Sequence, residues 1–290
     1  MELTLGPILF DWTRNETLRF YEEAAALPVD RVYVGEAVCV KKLGFSLKDV
    51  LTVTRALTAA GKKVTLSSLA VISNEDELQY TRDMCGLHGS IEANDMAVLN
   101  MAEGKEIFAG PHITSYNAPS IEFLKGVGLK RVCFPVELPK ESVACAIKQT
   151  GIEAEVFAHG KLPLAFSWRC YTGWAYGLTK TECRHHCAKF PDGMEIKTID
   201  GKPLFTVNGT SILSAHTHTL VESIEELSAM GVKAVRISPQ HRDTAKVVSV
   251  FRRRINGDIG PKEGLDAIKA ICKDKLCNGW YQATAGKDYA

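Results

Sequence analysis

The segment RVYVGEAVCVKKLGFSLKDVLTVTRALTAAGKKVTLSSLA, residues 31–70, contains a complete strand–helix–strand unit. The runs RVYVGE at its start and KKVTLSSLA at its end are short and apolar, as is typical of buried strands. The pattern of SLKDVLTVTRALTAAG between them is helical, with Ser46 as a candidate N-cap and Gly61 as a C-terminal glycine. A strand, a helix and a strand in this order indicate a parallel sheet covered by helices.

The same alternation extends along the chain in both directions. Apolar runs predict eight strands, at residues 3–9, 31–36, 62–70, 89–94, 105–113, 130–137, 152–160 and 232–239. Helical patterns alternate with these strands, so the sequence predicts an α/β fold of the (β/α)8 TIM-barrel type. A doubly wound open sheet is the alternative, but no glycine-rich dinucleotide loop follows the first strand.

The regular alternation is interrupted twice. A cysteine-bearing insertion follows strand seven, at about residues 160–215, and a short C-terminal extension with the helical pattern GLDAIKAICK follows Gly257. We therefore predict a barrel over residues 1–257 that includes the insertion, and an extension over residues 258–290. Long loops in compact domains are usually functional or disordered, and the aromatic-rich SWRCYTGWAYG is a poor candidate for disorder.

Composition excludes several classes of protein. The net charge of +1 argues against a nucleic-acid partner or an anionic membrane surface. Apolar runs such as LSSLAVI are far shorter than the roughly 20 residues that span a bilayer, so we expect no transmembrane segment. The start MELTLGPILF carries an acid at Glu2 and does not resemble a signal peptide. These features favour a cytoplasmic protein.

The nine cysteines need an explanation, because cysteine clusters in a reducing compartment more often bind metal or do chemistry than form disulfides. Cys170, Cys183 and Cys187 lie in the insertion, and the last two would share one face if TKTECRHHCAKF were helical. A fourth ligand should lie at the same mouth of the barrel. Cys39 follows strand two, and all loops after barrel strands open on that face.

The remaining cysteines are interpreted as structural. Cys85 and Cys145 fall within helices and Cys133 within strand six, where a thiol behaves as a small apolar side chain. Cys272 and Cys277 lie in a tail that we expect to be exposed and to offer them no partners. Spacing alone leaves the type of centre open, because His185 or His186 could complete a zinc site with the three clustered cysteines.

Several motifs in the correct order give the chain a resemblance to a known family. EVFAHGKLPLAFSWRCYT and ECRHHCAKFPDG resemble the core signature of the collagenase-like peptidase family U-thirty-two. LGPIL, GEAVCVKK, VRISPQ and LCNGWY resemble the members of that family that act in ubiquinone biosynthesis.

The resemblance implies a 4Fe–4S cluster on four cysteines, at positions that match Cys39, Cys170, Cys183 and Cys187 here. It also implies oxygen-independent hydroxylation of a ubiquinone precursor, in a heterodimer with a UbiU-like sister subunit and with a UbiT-like lipid carrier. No Ser–His–Asp or HExxH arrangement supports peptidase activity. A cluster subunit without its own active site, serving structure or electron transfer, is one alternative. A related family member that acts on RNA or peptides is the other.

Polar side chains at the strand ends should line a pocket beside the cysteines. We expect Glu137 and His159 to bind substrate there, since strand ends six and seven flank the insertion, and we assign no catalytic residue. His216 and His218 look like a metal pair, but we interpret them as polar residues at a helix start. The other strand-end candidates are Glu36, Ser67, Asn94, His112, Asn117 and Gln240.

Overall fold

A computed structural model describes residues 1–40 and 45–290, so the last two lysines of GEAVCVKK, at positions 41 and 42, lie outside the described residues. Eight parallel strands form a closed barrel. They are β1 (Glu2–Leu5), β2 (Arg31–Gly35), β3 (Lys63–Ser67), β4 (Ser90–Ala93), β5 (Ile107–Ala109), β6 (Leu129–Cys133), the first half of β7 (Glu153–Phe166), and β11 (Ala234–Ile237). Strand β11 pairs with both β1 and β7, which closes the ring and confirms the predicted barrel.

Helices cover the outside of the barrel in the predicted places. They are α1 (Arg14–Ala26), α2 (Leu47–Ala59), α3 (Glu75–Gly86), α4 (Ala97–Met101), α5 (Ala118–Gly126), α6 (Lys140–Thr150), α8 (Ile224–Ala229) and α9 (Thr244–Asn256). Ser46 caps α2 with a capping box to Asp49, as its position predicts. At α1 the cap is Thr13, which forms the equivalent box with Glu16.

The insertion forms a β-hairpin layer that the sequence did not predict. Strand β7 runs beyond the barrel and pairs antiparallel with β10 (Ser211–Thr219), which pairs with β9 (Pro203–Asn208), and β9 with β8 (Met194–Lys197). Before this hairpin, a short helix α7 (Tyr171–Ala175) follows Cys170.

Two local expectations in the insertion were wrong. TKTECRHHCAKF forms no α-helix; a 3-10 turn at His186–Lys189 follows His185, whose left-handed φ of 52° ends any α-helical path. His216 and His218 are not at a helix start, because both lie on β10. His218 pairs there with Gly160 of the extended β7.

The C-terminal extension packs on the barrel. Helix α10 (Pro261–Ile271) lies against α9, and β12 (Leu276–Cys277) pairs with β10. Cys277 is buried and Cys272 is half-buried, so the expectation of an exposed tail was wrong. Cys85 and Cys133 are buried as predicted, whereas Cys145 lies on the exposed side of α6. No helix within residues 1–40 and 45–290 has the length and apolarity to cross a membrane.

The barrel interior holds an ion-pair network instead of a purely apolar core. Glu155 accepts hydrogen bonds from Arg236 Nε at 2.9 Å, from the Tyr33 hydroxyl at 2.5 Å and from the Thr4 hydroxyl at 2.6 Å. Arg236 Nη1 also donates to Glu92 at 2.5 Å. All these side chains are buried, so each charge depends on its partners inside the barrel.

Candidate cysteine site and barrel mouth

Two cysteines of the insertion accept hydrogen bonds from backbone amides. Cys170 caps α7, and its Sγ accepts from the Gly173 amide at 3.2 Å. Cys183 Sγ accepts from the His185 amide at 3.3 Å. Amide donors stabilise negative charge on sulfur, and hydrogen bonds to sulfur tune the potential of thiolate-ligated iron. Both thiols therefore lie in surroundings that suit metal-bound thiolates.

Cys187 joins these two cysteines through the loop after β1. Its Sγ donates to the Asp11 carboxylate at 2.9 Å. Burial raises the pKa of the Cys187 thiol, Asp11 raises it further, and the nearby thiols of Cys183 and Cys170 add to the rise. The three sulfurs are thus close enough to act on one another electrostatically.

Cys39 follows β2 and approaches the same region through the hairpin turn between β9 and β10. The carbonyl of the preceding Val38 accepts from the Thr210 hydroxyl at 3.2 Å. In the same turn, the Gly209 carbonyl accepts from the Tyr171 amide at 2.7 Å. The chain beside Cys39 and the chain beside Cys170 therefore contact adjacent residues of one turn, although 130 positions separate them.

The donor set fits a thiolate-bound centre in its chemistry. Within residues 1–40 and 45–290, no three His, Cys, Asp or Glu side chains stand in positions ready to hold a metal ion. What the chain supplies is three neighbouring sulfurs, two of which accept from amides. The His185 ring faces Asp11 at 3.8 Å and the His186 ring stacks on Tyr176 at 4.0 Å. Ligation by four cysteines and the smaller site with a histidine both stay predictions.

Contacts with one helix and two loops of the barrel hold the insertion against it. Lys180 pairs with Glu77 of α3 at 2.6 Å. Trp12 Nε1 donates to the Pro191 carbonyl at 2.7 Å. The His241 amide donates to Asp192, which follows Pro191, at 2.7 Å. Cys170, Cys183 and Cys187 therefore lie in a segment that is docked on the barrel.

The structure does not bring Glu137 and His159 together. Glu137 is exposed and accepts from the Tyr116 hydroxyl. His159 is buried with its ring against Phe251 of α9 at 5.7 Å, and its Nε2 lies 3.8 Å from Cys272 Sγ. Burial lowers the pKa of His159 to about 3, so the ring is neutral at physiological pH. No contact among the described residues links the two side chains, and their role in substrate binding stays a prediction.

Sequence reasoning missed Arg236 and Ser238, which line the mouth together with the predicted strand-end residues Asn94 and His112. The signal was present in the strand AVRI, where a lone arginine interrupts a buried apolar run. Arginine is almost never fully buried unless it is paired, so its position already pointed to acidic partners inside the barrel. Asp11, the hydrogen-bond partner of Cys187, gave no such signal, because its loop carries no recognisable pattern.

Comparison with known proteins places this architecture in a family. The curated tRNA hydroxylation protein P1 of Bacillus subtilis (strain 168) is 22% identical over an alignment 229 residues long, which covers 73% of this chain. The chain spans about half, 54%, of the length of that relative.

Solved structures also resemble the chain. The U32 peptidase Mk0906 has a TM-score of 0.46 and 11% identity, covering 83% of this chain and 93% of its own. A truncated 3-deoxy-D-arabino-heptulosonate 7-phosphate synthase from Thermotoga maritima has a TM-score of 0.48 and 12% identity, covering 95% and 89%. The sequence model of the family described as Peptidase family U32 matches residues 16–289 of this chain. The chain is thus a member of peptidase family U32.

Proposed function

We propose that this chain is the UbiV-type iron–sulfur subunit of an oxygen-independent hydroxylation system in ubiquinone biosynthesis. The observation that carries the proposal is that Cys187, which donates to Asp11 of the loop after β1, has the thiols of Cys170 and Cys183 nearby. Val38, beside Cys39, and Tyr171, beside Cys170, contact adjacent residues of one hairpin turn. The relative named for tRNA hydroxylation is compatible with a hydroxylation-related role. The motifs GEAVCVKK and LCNGWY favour the ubiquinone branch.

Four cysteines, Cys39, Cys170, Cys183 and Cys187, would hold a 4Fe–4S cluster. When bound, such a cluster supplies one-electron redox chemistry, with a potential set by burial and by hydrogen bonds to sulfur. The residues of the chain itself position the sulfurs. The amides of Gly173 and His185 donate to two of the sulfurs and so help to orient them.

Iron and sulfide analysis tests the centre. Purified without oxygen, the protein should contain about four iron and about four sulfide per chain, as a cuboidal cluster on four thiolates requires. The measurement is metal analysis and acid-labile sulfide on the same sample, with a sample exposed to air as the comparison. Stoichiometric zinc with no labile sulfide would contradict the cluster and favour the site completed by a histidine.

Association tests the place of the chain in a heterodimer. A UbiU-like sister subunit should copurify with it, and the midpoint of thermal unfolding should rise with partner concentration, because a ligand at 100 times its Kd stabilises the folded state by about 2.7 kcal/mol. Size-exclusion chromatography and thermal unfolding of the separate and mixed chains measure this, and a UbiT-like carrier can be added in turn. Unchanged elution and melting in the mixture at micromolar concentration would argue against the partnership.

RNA is the second candidate substrate, and the named relative is the observation that favours it. The net charge of +1 argues against a polyanionic substrate such as RNA. An assay of the loaded protein on both a ubiquinone precursor and tRNA separates the two. If only tRNA gave a product, RNA would be the substrate instead of the ubiquinone precursor. The proposal of an iron–sulfur cluster would not be affected.

A further inference from the structure

A small polar chamber lies in the barrel mouth, at the carboxyl ends of the strands. It measures about 10 Å³ and its walls include Arg236, Asn94, Ser238, His112 and Phe157. Three side-chain atoms there, Arg236 Nη2, Asn94 Oδ1 and Ser238 Oγ, are buried without a hydrogen-bond partner among the described residues. Buried polar groups without a partner are costly, so three in one chamber of a barrel mouth point to a ligand.

The positive charge in the chamber already has acidic partners. Two carboxylates, Glu92 at 2.5 Å and Glu155 at 2.9 Å, pair with the guanidinium of Arg236, and Arg131 Nη1 also lies 3.6 Å from Glu155. His112 adds no charge, because burial lowers its pKa to about 3. An anion entering the chamber would therefore be buried without a counter-charge, which is unfavourable. The chamber favours a neutral polar group.

The unpartnered atoms also define which polar group fits. Arg236 Nη2 can only donate, and Asn94 Oδ1 can only accept. The amide of Asn94 is fixed in this orientation, because its Nδ2 donates to the Ser68 carbonyl at 2.9 Å and to the Ser67 hydroxyl at 3.1 Å. A hydroxyl oxygen can accept from Arg236 and donate to Asn94 at the same time, as a water molecule also can, and the chamber has room for about one oxygen atom.

Gly110 keeps this arrangement open. A Cβ at that position would lie 1.8 Å from Asn94 Oδ1 and 3.1 Å from the Glu92 carboxyl carbon. Only glycine lets the chain after β5 pass so close to the Asn94 amide.

An outer cleft of about 670 Å³ adjoins the chamber and shares the lining residues Asn94 and His112 with it. Apolar side chains form much of its wall, including Ile113, Leu124 and the 66% exposed Phe123. Its size is within the range of pockets that bind small organic molecules. A largely apolar surface open to solvent thus lies next to the chamber that holds the three unpartnered atoms.

We propose that the chamber and the cleft form one binding site for an apolar hydroxyl compound. The hydroxyl lies in the chamber between Arg236, Asn94 and Ser238, and the apolar body lies in the cleft against Phe123. The cysteines are near, because Leu9 lines the chamber and the loop continues to Asp11, the partner of Cys187. The inference deepens the proposed function and rests on it only in taking the bound compound as the substrate.

A pair of probes that differ by one hydroxyl tests this site. 4-Propylphenol and propylbenzene are titrated into the anaerobically purified protein and followed by ligand-observed NMR. The wild type should bind the phenol about tenfold more tightly, the value of roughly one to two net hydrogen bonds. Ser238→Ala should reduce that preference several-fold, and Thr219→Val, which also removes a buried unpartnered hydroxyl but lies outside the chamber, should keep it.

Phe123→Ala should weaken both probes to a similar extent, because it removes part of the apolar wall that they share. Val127→Ala is the matched control, an exposed apolar residue just after the same helix and outside the cleft. Equal binding of the two probes, an unchanged preference in Ser238→Ala, or no binding of either probe would overturn the proposed site. Iron and sulfide measured on the same samples keep this outcome separate from failure of the cluster proposal.

Discussion

Cys183→Ala is expected to remove most of the iron and sulfide from the anaerobically purified protein. A missing thiolate leaves one iron without a protein ligand. The His185 amide also loses the Cys183 sulfur to which it donates. Cys39→Ala, Cys170→Ala and Cys187→Ala should behave in the same way. Iron, labile sulfide and the visible absorption of each variant measure the loss.

Cys145→Ala is the matched control, since Cys145 is an exposed cysteine on α6. It should retain the full iron content and a wild-type melting temperature. Cys85→Ala should also retain its iron, with a modest loss of stability from the buried position. If a variant at one of the four positions kept wild-type iron and sulfide, that cysteine would leave the ligand set.

Arg236→Leu is expected to lower the free energy of unfolding by about 3–5 kcal/mol, because it leaves buried carboxylates without their main partner. Arg236 holds both Glu92 and Glu155, and all three side chains are almost fully buried. Denaturant unfolding measures the change. Arg253→Leu is the control, because Arg253 pairs with Glu263 at 3.2 Å on the exposed surface, where a pair contributes no more than about 1 kcal/mol.

The dependence on pH distinguishes the ion pair from simple packing. Burial alone would raise the pKa of Glu155, but Arg236 and Arg131 outweigh it and lower the pKa from 4.5 to about 2. A carboxyl whose pKa is lower in the folded state adds stability that is complete above about pH 4.5 and is lost as the pH falls toward 2. The wild type should lose stability over this window, and Arg236→Leu should lose less. Parallel pH profiles for the two proteins would contradict the assignment.

Much of the barrel was predictable, because most of its strand residues are buried and its strands appear as short, mainly apolar runs. RVYVG is an example, since all five of its residues are buried in β2. Helix α2 is another, because Ser46 and Asp49 form a capping box that depends only on local sequence.

The hairpin layer was not predictable in the same way. MEIK and PLFTVN are short and partly exposed, and their pairing depends on β7 continuing beyond the barrel, which is a non-local fact. SAHTHT carries strand-like alternation, but its position before a helical pattern led to the interpretation as a helix start. The position of Cys39 after β2 can be read from the strand pattern alone, whereas the hydrogen bond between Cys187 and Asp11 depends on the side chains of two loops that lie far apart in sequence.

The insertion leaves and rejoins the barrel at almost the same point. Thr219 lies opposite His159, and the Leu220 amide donates to the Ala158 carbonyl at 2.9 Å, so the segment starts and finishes at neighbouring points of one strand. Because the two ends of the segment lie close together, lengthening, shortening or exchanging it leaves the order of the barrel strands unchanged. A change in the length or sequence of this segment can therefore alter the mouth of this barrel while the ring of strands below it stays the same.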